Sequence, residues 1–211
     1  MIRLYFKILK IIQKIEHKFF IIFNRYYFSY KEIKFGKNLN VYYKIYLNIA
    51  QKSQITIGDN FLFTSGKSIN PLCRNICGSI HTTRNAIIQI GNNVGISSAC
   101  IWAKERIIIG NNVNIGGDTI IIDTDAHNLD YRIRNSKAIN EEGISIDSIT
   151  ATSKPIIIED DVLIGTRCII LKGVRIGARS VIGSGSVVTK SIPADCIAAG
   201  NPCKIIKYIN E

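Results

Sequence analysis

A six-residue rhythm limits what this chain can fold into more than any other feature. Aliphatic residues recur at Ile158, Ile164, Ile170, Ile176, Ile182 and Val188. Four residues after each of the first five stands a small or β-branched side chain: Val162, Cys168, Val174, Ser180 and Ser186. Shorter runs precede them at Ile57, Phe63 and Ile69, at Ile90, Ile96 and Trp102, and at Ile109, Ile115 and Ile121. A helix repeats every 3.6 residues and a flat strand every two, so neither keeps such a series on one face. A short strand plus a corner does. Three such units close one triangular coil, which stacks Ile158 under Ile176 and Ile164 under Ile182. The corners "IGDN" (57–60) and "IGNN" (90–93 and 109–112) supply Gly and Asn, which tolerate positive φ.

This pattern resembles the hexapeptide-repeat acyltransferases over roughly residues 55–207. The closing stretch VTKSIPADCIAAGNPCKII (188–206) is similar to the family's ending, and most similar to the bacterial sugar O-acetyltransferase branch. The resemblance implies an all-β left-handed parallel β-helix, although general crossover rules favour the opposite hand. It also implies a homotrimer with active sites between neighbouring prisms, and acetyl-CoA as co-substrate. Three segments are expected: a basic amphipathic piece at 1–37, the β-helix at 38–200, and a short tail at 201–211.

The rhythm fails at TIIIDTDAHNLDYRIR (119–134) and resumes only at Ile158, leaving 128–157 as an excursion from the coil. Counting from Ile121, Asp125 falls on a small position and His127 on an aliphatic one. A buried carboxylate needs a partner. Asp125 is therefore expected to fix the imidazole tautomer and leave the other ring nitrogen of His127 as a base. Asp123, two residues beyond Ile121, is expected to face outward. His127 also falls where the family's base lies. His127 would take the proton of a sugar hydroxyl attacking the thioester, a backbone N–H would steady the oxyanion, and transfer would be direct.

Further site residues follow from the resemblance. Gly165 and Thr166 correspond to a turn meeting the pantetheine, with Ser184 one coil above. Thr189 and Lys190 match the family's cofactor-binding "TK" before the final turn, and Lys204 and Lys207 match two basic positions in its tail that face the CoA phosphates. Lys stands at 204 and 207 where relatives often have Arg, so bidentate contacts are lost. Ser97 and Ser98 fall on the coil that approaches the base from an adjacent subunit. Trp102, the single tryptophan, offers a face for a sugar or for the core. Tyr131 and Arg132 follow His127 closely enough to meet an acceptor. Cys100 and Cys168 occupy small positions and read as packing rather than as nucleophiles.

Charge is concentrated at one end. Residues 1–37 hold nine Lys or Arg against Glu16 and Glu32, which leaves +7 of the chain's +11 there. The body is too nearly neutral for a nucleic-acid surface. Tyr5, Ile8, Ile12, Ile15, Phe19 and Ile22 share one helical face, and Lys7, Lys10, Lys14 and Lys18 line another. Such a helix packs on its own domain or a sister subunit, or lies on an anionic membrane through residues 1–30. No run approaches a membrane span and no signal peptide is evident, so a cytoplasmic location is expected, peripheral to the membrane if the helix binds it. The six cysteines form no CxxC pair, and no metal is expected.

The reading these features favour is acetyl-CoA-dependent O-acetylation of a sugar or glycan, in surface polysaccharide or lipopolysaccharide synthesis. The alternative within the fold is N-acetylation of an antibiotic or amino sugar. A metal-dependent hydratase would need several His at ligand spacing, where this chain has His17, His81 and His127. A non-catalytic scaffold would keep the lattice unbroken at 125 and 127.

Overall fold

The computed structural model describes residues 2–66 and 76–209. Ile69 and Cys73 lie outside the described residues. The chain opens with a long helix, α1 (Ile2–Tyr30), and then winds into a prism of three sheets. Two sheets have six strands and one has eight. All described pairings between strands of these sheets are parallel except the last, where Lys204–Tyr208 returns antiparallel along Cys196–Ala199. The prism is a left-handed β-helix whose first described strand is Lys34–Phe35.

The repeat translates directly into register. Ile158 pairs with Ile176, Ile164 with Ile182, and Ile170 with Val188. Each aliphatic points into the prism, as do Val162, Cys168, Val174, Ser180 and Ser186, all essentially without solvent contact. Stacking β-branched side chains in columns fills a narrow core without voids. One corner column carries Asn60, Asn93, Asn112 and Asp161, each at positive φ. Their side chains form a ladder, with Asn60 donating to Asn93, Asn93 to Asn112 and Asn112 to Asp161 at 2.9–3.0 Å. Asn tolerates this backbone region better than most residues, and the ladder satisfies its amide between coils.

One departure from the register decides where Trp102 falls. Ser98, at φ 41°, tightens the corner after Ile96, so Ala99 and Ile101 point inward. Trp102, expected on the lattice, is turned to the half-exposed outer face, where its ring meets His81 edge-on at 4.9 Å. Cys100 likewise sits outside the core, whereas Cys168 is buried as expected. Burial raises the Cys168 thiol above its ordinary range, which keeps it protonated and inert.

Helix α1 closes the N-terminal end of the prism. Phe20, Asn24 and Phe28 form its buried stripe. The Asn24 amide donates to the carbonyls of Val41 and Tyr43, both at 2.9 Å, and Arg25 Nε donates to that of Leu39 at 3.0 Å. These carbonyls belong to the edge strand Asn40–Tyr42 and the residues flanking it, which the helix shields from pairing with another chain. The face carrying Ile8, Ile12, Ile15, Phe19 and Ile22 is not the one that packs. It is exposed.

Candidate active site

The prism is interrupted where the rhythm fails. The strand Ile120–Ile122 runs on through Asp123, and the next strand starts at Ile156. Inward and outward side chains alternate along a strand, so Asp123 shares the inner side with Ile121. Asp123 is fully buried, which corrects the expectation that it faces outward. Its carboxylate accepts the backbone N–H groups of Lys104 (2.6 Å), Glu105 (2.8 Å) and Arg106 (2.7 Å) on the coil below. Burial pushes this carboxyl up from its usual range, and the three N–H donors oppose that. All three partners are donors, a set that only an ionised carboxylate satisfies without conflict.

Asp125 is consequently not the inward residue of the lattice. It is half-buried and ion-paired with Lys172 Nζ at 2.8 Å. The carboxylate on His127 is Asp147, whose Oδ2 lies 2.6 Å from Nδ1. Asp147 Oδ1 accepts the Asn128 N–H at 2.6 Å. The His127 hydrogen bond, then that N–H, holds the Asp147 carboxyl below the ordinary carboxylate range. An ionised Asp147 accepts Nδ1–H, which places the lone pair on Nε2. The His127 side chain is 67% exposed, so that lone pair faces outward from the loop.

The excursion presents Asp147 through a short helix, α3 (Ile146–Thr150), that follows another, α2 (Tyr131–Arg134). Lys104 ties down the C-terminal end of α3: its ammonium donates to the carbonyls of Ser148 (2.7 Å), Ile149 (2.9 Å) and Ala151 (2.6 Å). A cation satisfies end carbonyls and complements the helix dipole. Asp130 caps α2 by accepting the Arg132 N–H at 2.9 Å, and also holds the Arg132 guanidinium at 2.7 Å. Tyr131 is exposed beside it.

The remaining predicted residues divide between two edges of the prism. Ser97, Gly165, Thr166 and Ser184 line one groove of about 340 Å3 along the outer face of the eight-stranded sheet. Its floor permits no side chain at Gly165, where a Cβ would meet the Ser184 nitrogen at 2.5 Å. Ser184 Oγ accepts the Thr166 N–H at 3.2 Å. Lys204 stands one coil further on, paired with Ala199, and Lys207 pairs with Ile197. Ser98 does not join the groove: it is buried, with Oγ accepting the Gly66 N–H and donating to the Thr64 carbonyl, both at 3.3 Å. Thr189 and Lys190 follow the strand Val187–Val188, at the same prism corner as His127 and one strand away from the groove. The three histidines are dispersed, His17 against Tyr42, His81 against Trp102 and His127 against Asp147.

Sequence reasoning missed Asp147 as the partner of His127, together with Lys104 and Lys172. Asp147 was legible only as one acid in a polar excursion. What selects it is the fold of that excursion, which carries no repeat.

Comparison with known proteins agrees with this architecture. Residues 155–190 match the family model described as the hexapeptide repeat of succinyl-transferase. A Schizosaccharomyces pombe protein named as an acetyltransferase is 45% identical over 125 residues, covering 59% of this chain and 54% of that one. The matches span between a quarter and about half the length of such curated relatives. The crystal structure of a hexapeptide-repeat acetyltransferase from Vibrio cholerae, complexed with acetyl-coenzyme A, is 30% identical with a TM-score of 0.53, covering 72% of each chain. A maltose O-acetyltransferase from Clostridium difficile is 28% identical with a TM-score of 0.52, covering 84% of this chain and 68% of that one. The coiled fold is that of a β-helical acyltransferase. The chain belongs to the hexapeptide-repeat acyltransferase family.

Proposed function

We propose that this protein transfers an acetyl group from acetyl-CoA to a hydroxyl of a sugar or glycan, with His127 as general base. The observation that carries the reading is the His127–Asp147 pair at 2.6 Å, which leaves Nε2 free on an exposed imidazole. The acceptor O–H gives its proton to Nε2 as its oxygen attacks the acetyl carbonyl carbon. The tetrahedral centre then collapses, the C–S bond breaks, and the imidazolium returns the proton to the leaving thiolate. CoA leaves as the free thiol, the ester stays on the sugar, and no acyl-enzyme forms. Asp147 holds the tautomer and steadies the imidazolium. The likeness to the maltose O-acetyltransferase supports a sugar acceptor, and the acetyl-CoA complex of the Vibrio cholerae structure supports the donor.

The two edges supply different halves of this reaction. The groove floored by Gly165, beside Thr166 and Ser184, suits the slender pantetheine arm, and Lys204 and Lys207 suit its phosphates. His127 and Lys190 lie a strand away, so one copy's base completes a neighbour's groove in a homotrimer. The decisive measurement is thiol release from acetyl-CoA against a panel of sugars and glycans. His127→Ala should abolish turnover with the fold intact, and undiminished turnover refutes the mechanism. Mixing His127→Ala with groove-blocked Ser184→Trp should restore activity if the site lies between copies. No recovery in mixed trimers places both halves within one chain.

A further inference from the structure

The largest feature that the catalytic reading leaves unused is the outward face of α1. The helix has 29 residues and buries a single stripe against the prism, Phe20, Asn24 and Phe28. The opposite stripe, spaced by three and four, is Ile8, Ile11, Ile15, Phe19, Ile22 and Tyr26. Every one of these is exposed, Ile15 to 62% and Tyr26 to 74%. A continuous apolar stripe of this length marks an interaction surface.

The packing also fixes where the stripe points. Asn24 and Arg25 bond to carbonyls of the first coil that run along the prism axis, away from the second coil. The helix therefore lies across the end of the prism, and its outward stripe faces along that axis. Copies related by a threefold axis parallel to the prisms would present their stripes on one common plane.

Charge selects the occupant. Arg3, Lys7, Lys10, Lys14 and Lys18 fall on one flank of the apolar stripe, and Glu16 is the single acid of the helix. A second copy docked through the same face would bring two such cationic helices together. A plane of anionic headgroups over acyl chains matches both the charge and the apolar stripe. Among the described residues no helix is long and apolar enough to cross a membrane, so the geometry is that of a helix lying on a surface.

We infer that α1 docks the prism end-on to a bilayer rich in anionic phospholipid, its apolar stripe among the acyl chains and its basic flank against the headgroups. This inference stands on the helix and not on the acyl-transfer reading. It does place the site beside any acceptor carried on a lipid.

Flotation of the full-length protein tests it, with phosphatidylcholine vesicles set against phosphatidylcholine vesicles containing phosphatidylglycerol. The protein should float with the anionic vesicles, and binding should fall as salt is raised. The triple change Lys7→Gln, Lys10→Gln and Lys14→Gln should weaken binding about 100-fold, at about fivefold per charge. Ile15→Asp with Phe19→Asp should abolish it without moving the unfolding midpoint, because both side chains are already exposed. Absence of flotation overturns the inference, as does equal, salt-independent binding to neutral vesicles. So does a soluble assembly that Ile15→Asp dissociates, since the stripe would then belong to another copy. Thiol release with a water-soluble acceptor should persist in these variants, which separates failure of docking from failure of the catalytic reading.

Discussion

Two carboxylates four residues apart or less from His127 in sequence, Asp123 and Asp125, leave it to a third. Asp123 is committed to three backbone N–H groups and Asp125 to Lys172, while Asp147 arrives from the excursion to meet Nδ1. Asp147→Asn should lower kcat on the order of 10²-fold with little change in KM, because the amide no longer fixes the tautomer. Asp125→Asn should cost far less, and equal losses in steady-state kinetics would return the role to Asp125. Asp123→Asn should act on stability instead. It places an NH2 group against buried N–H donors, at a cost of about 2–4 kcal/mol, readable in denaturant unfolding. The Asp147 carboxyl also sets a pH dependence. Its folded-state value is depressed by His127, so its contribution to loop order is present above the ordinary carboxylate range and lost as pH falls through the depressed value. Protection of the Asn128 amide against hydrogen exchange, relative to its intrinsic rate at each pH, should fall over that acid interval and not above it, because Asp147 accepts that N–H.

At the scale of elements, the site depends on a five-residue helix that no core residue anchors. α3 has no buried side chain, and its end is held by Lys104 through three carbonyls. A helix this short is not stable by itself. Lys104→Met should therefore free Asp147 and lower kcat while the prism's unfolding midpoint moves little. The readout that separates positioning from general damage is the NMR signal of the His127 Nδ1–H, which should be lost once its hydrogen bond to Asp147 is broken. An unchanged Nδ1–H signal with reduced kcat would mean that Lys104 acts elsewhere. Helix α1 illustrates the same division between pattern and packing. Its amphipathic spacing is plain in the sequence, yet Phe20, Asn24 and Phe28 pack and the Ile8–Ile15–Ile22 face does not. Spacing identifies faces, and only contacts decide which of them is covered.

For the whole molecule, the sequence by itself determined the prism. The six-residue period, the Gly and Asn corners and the stacking of Ile158 on Ile176 are local and repetitive, so each coil restates the rule. It also marked His127, because a break in so regular a lattice is conspicuous. Trp102 and Cys100 were misplaced where one tight corner at Ser98 shifted the count by a residue. Tertiary structure alone decided which carboxylate holds the imidazole, which part of the prism carries His127 and which the groove at Gly165, and which helix face remains bare. The physical reason is range. Strand and corner preferences act over a few residues and can be read in order along the chain. The Asp147 contact spans 20 residues of aperiodic loop, and Lys104 reaches α3 across more than 40. Such contacts exist only once the prism has brought its neighbouring coils together.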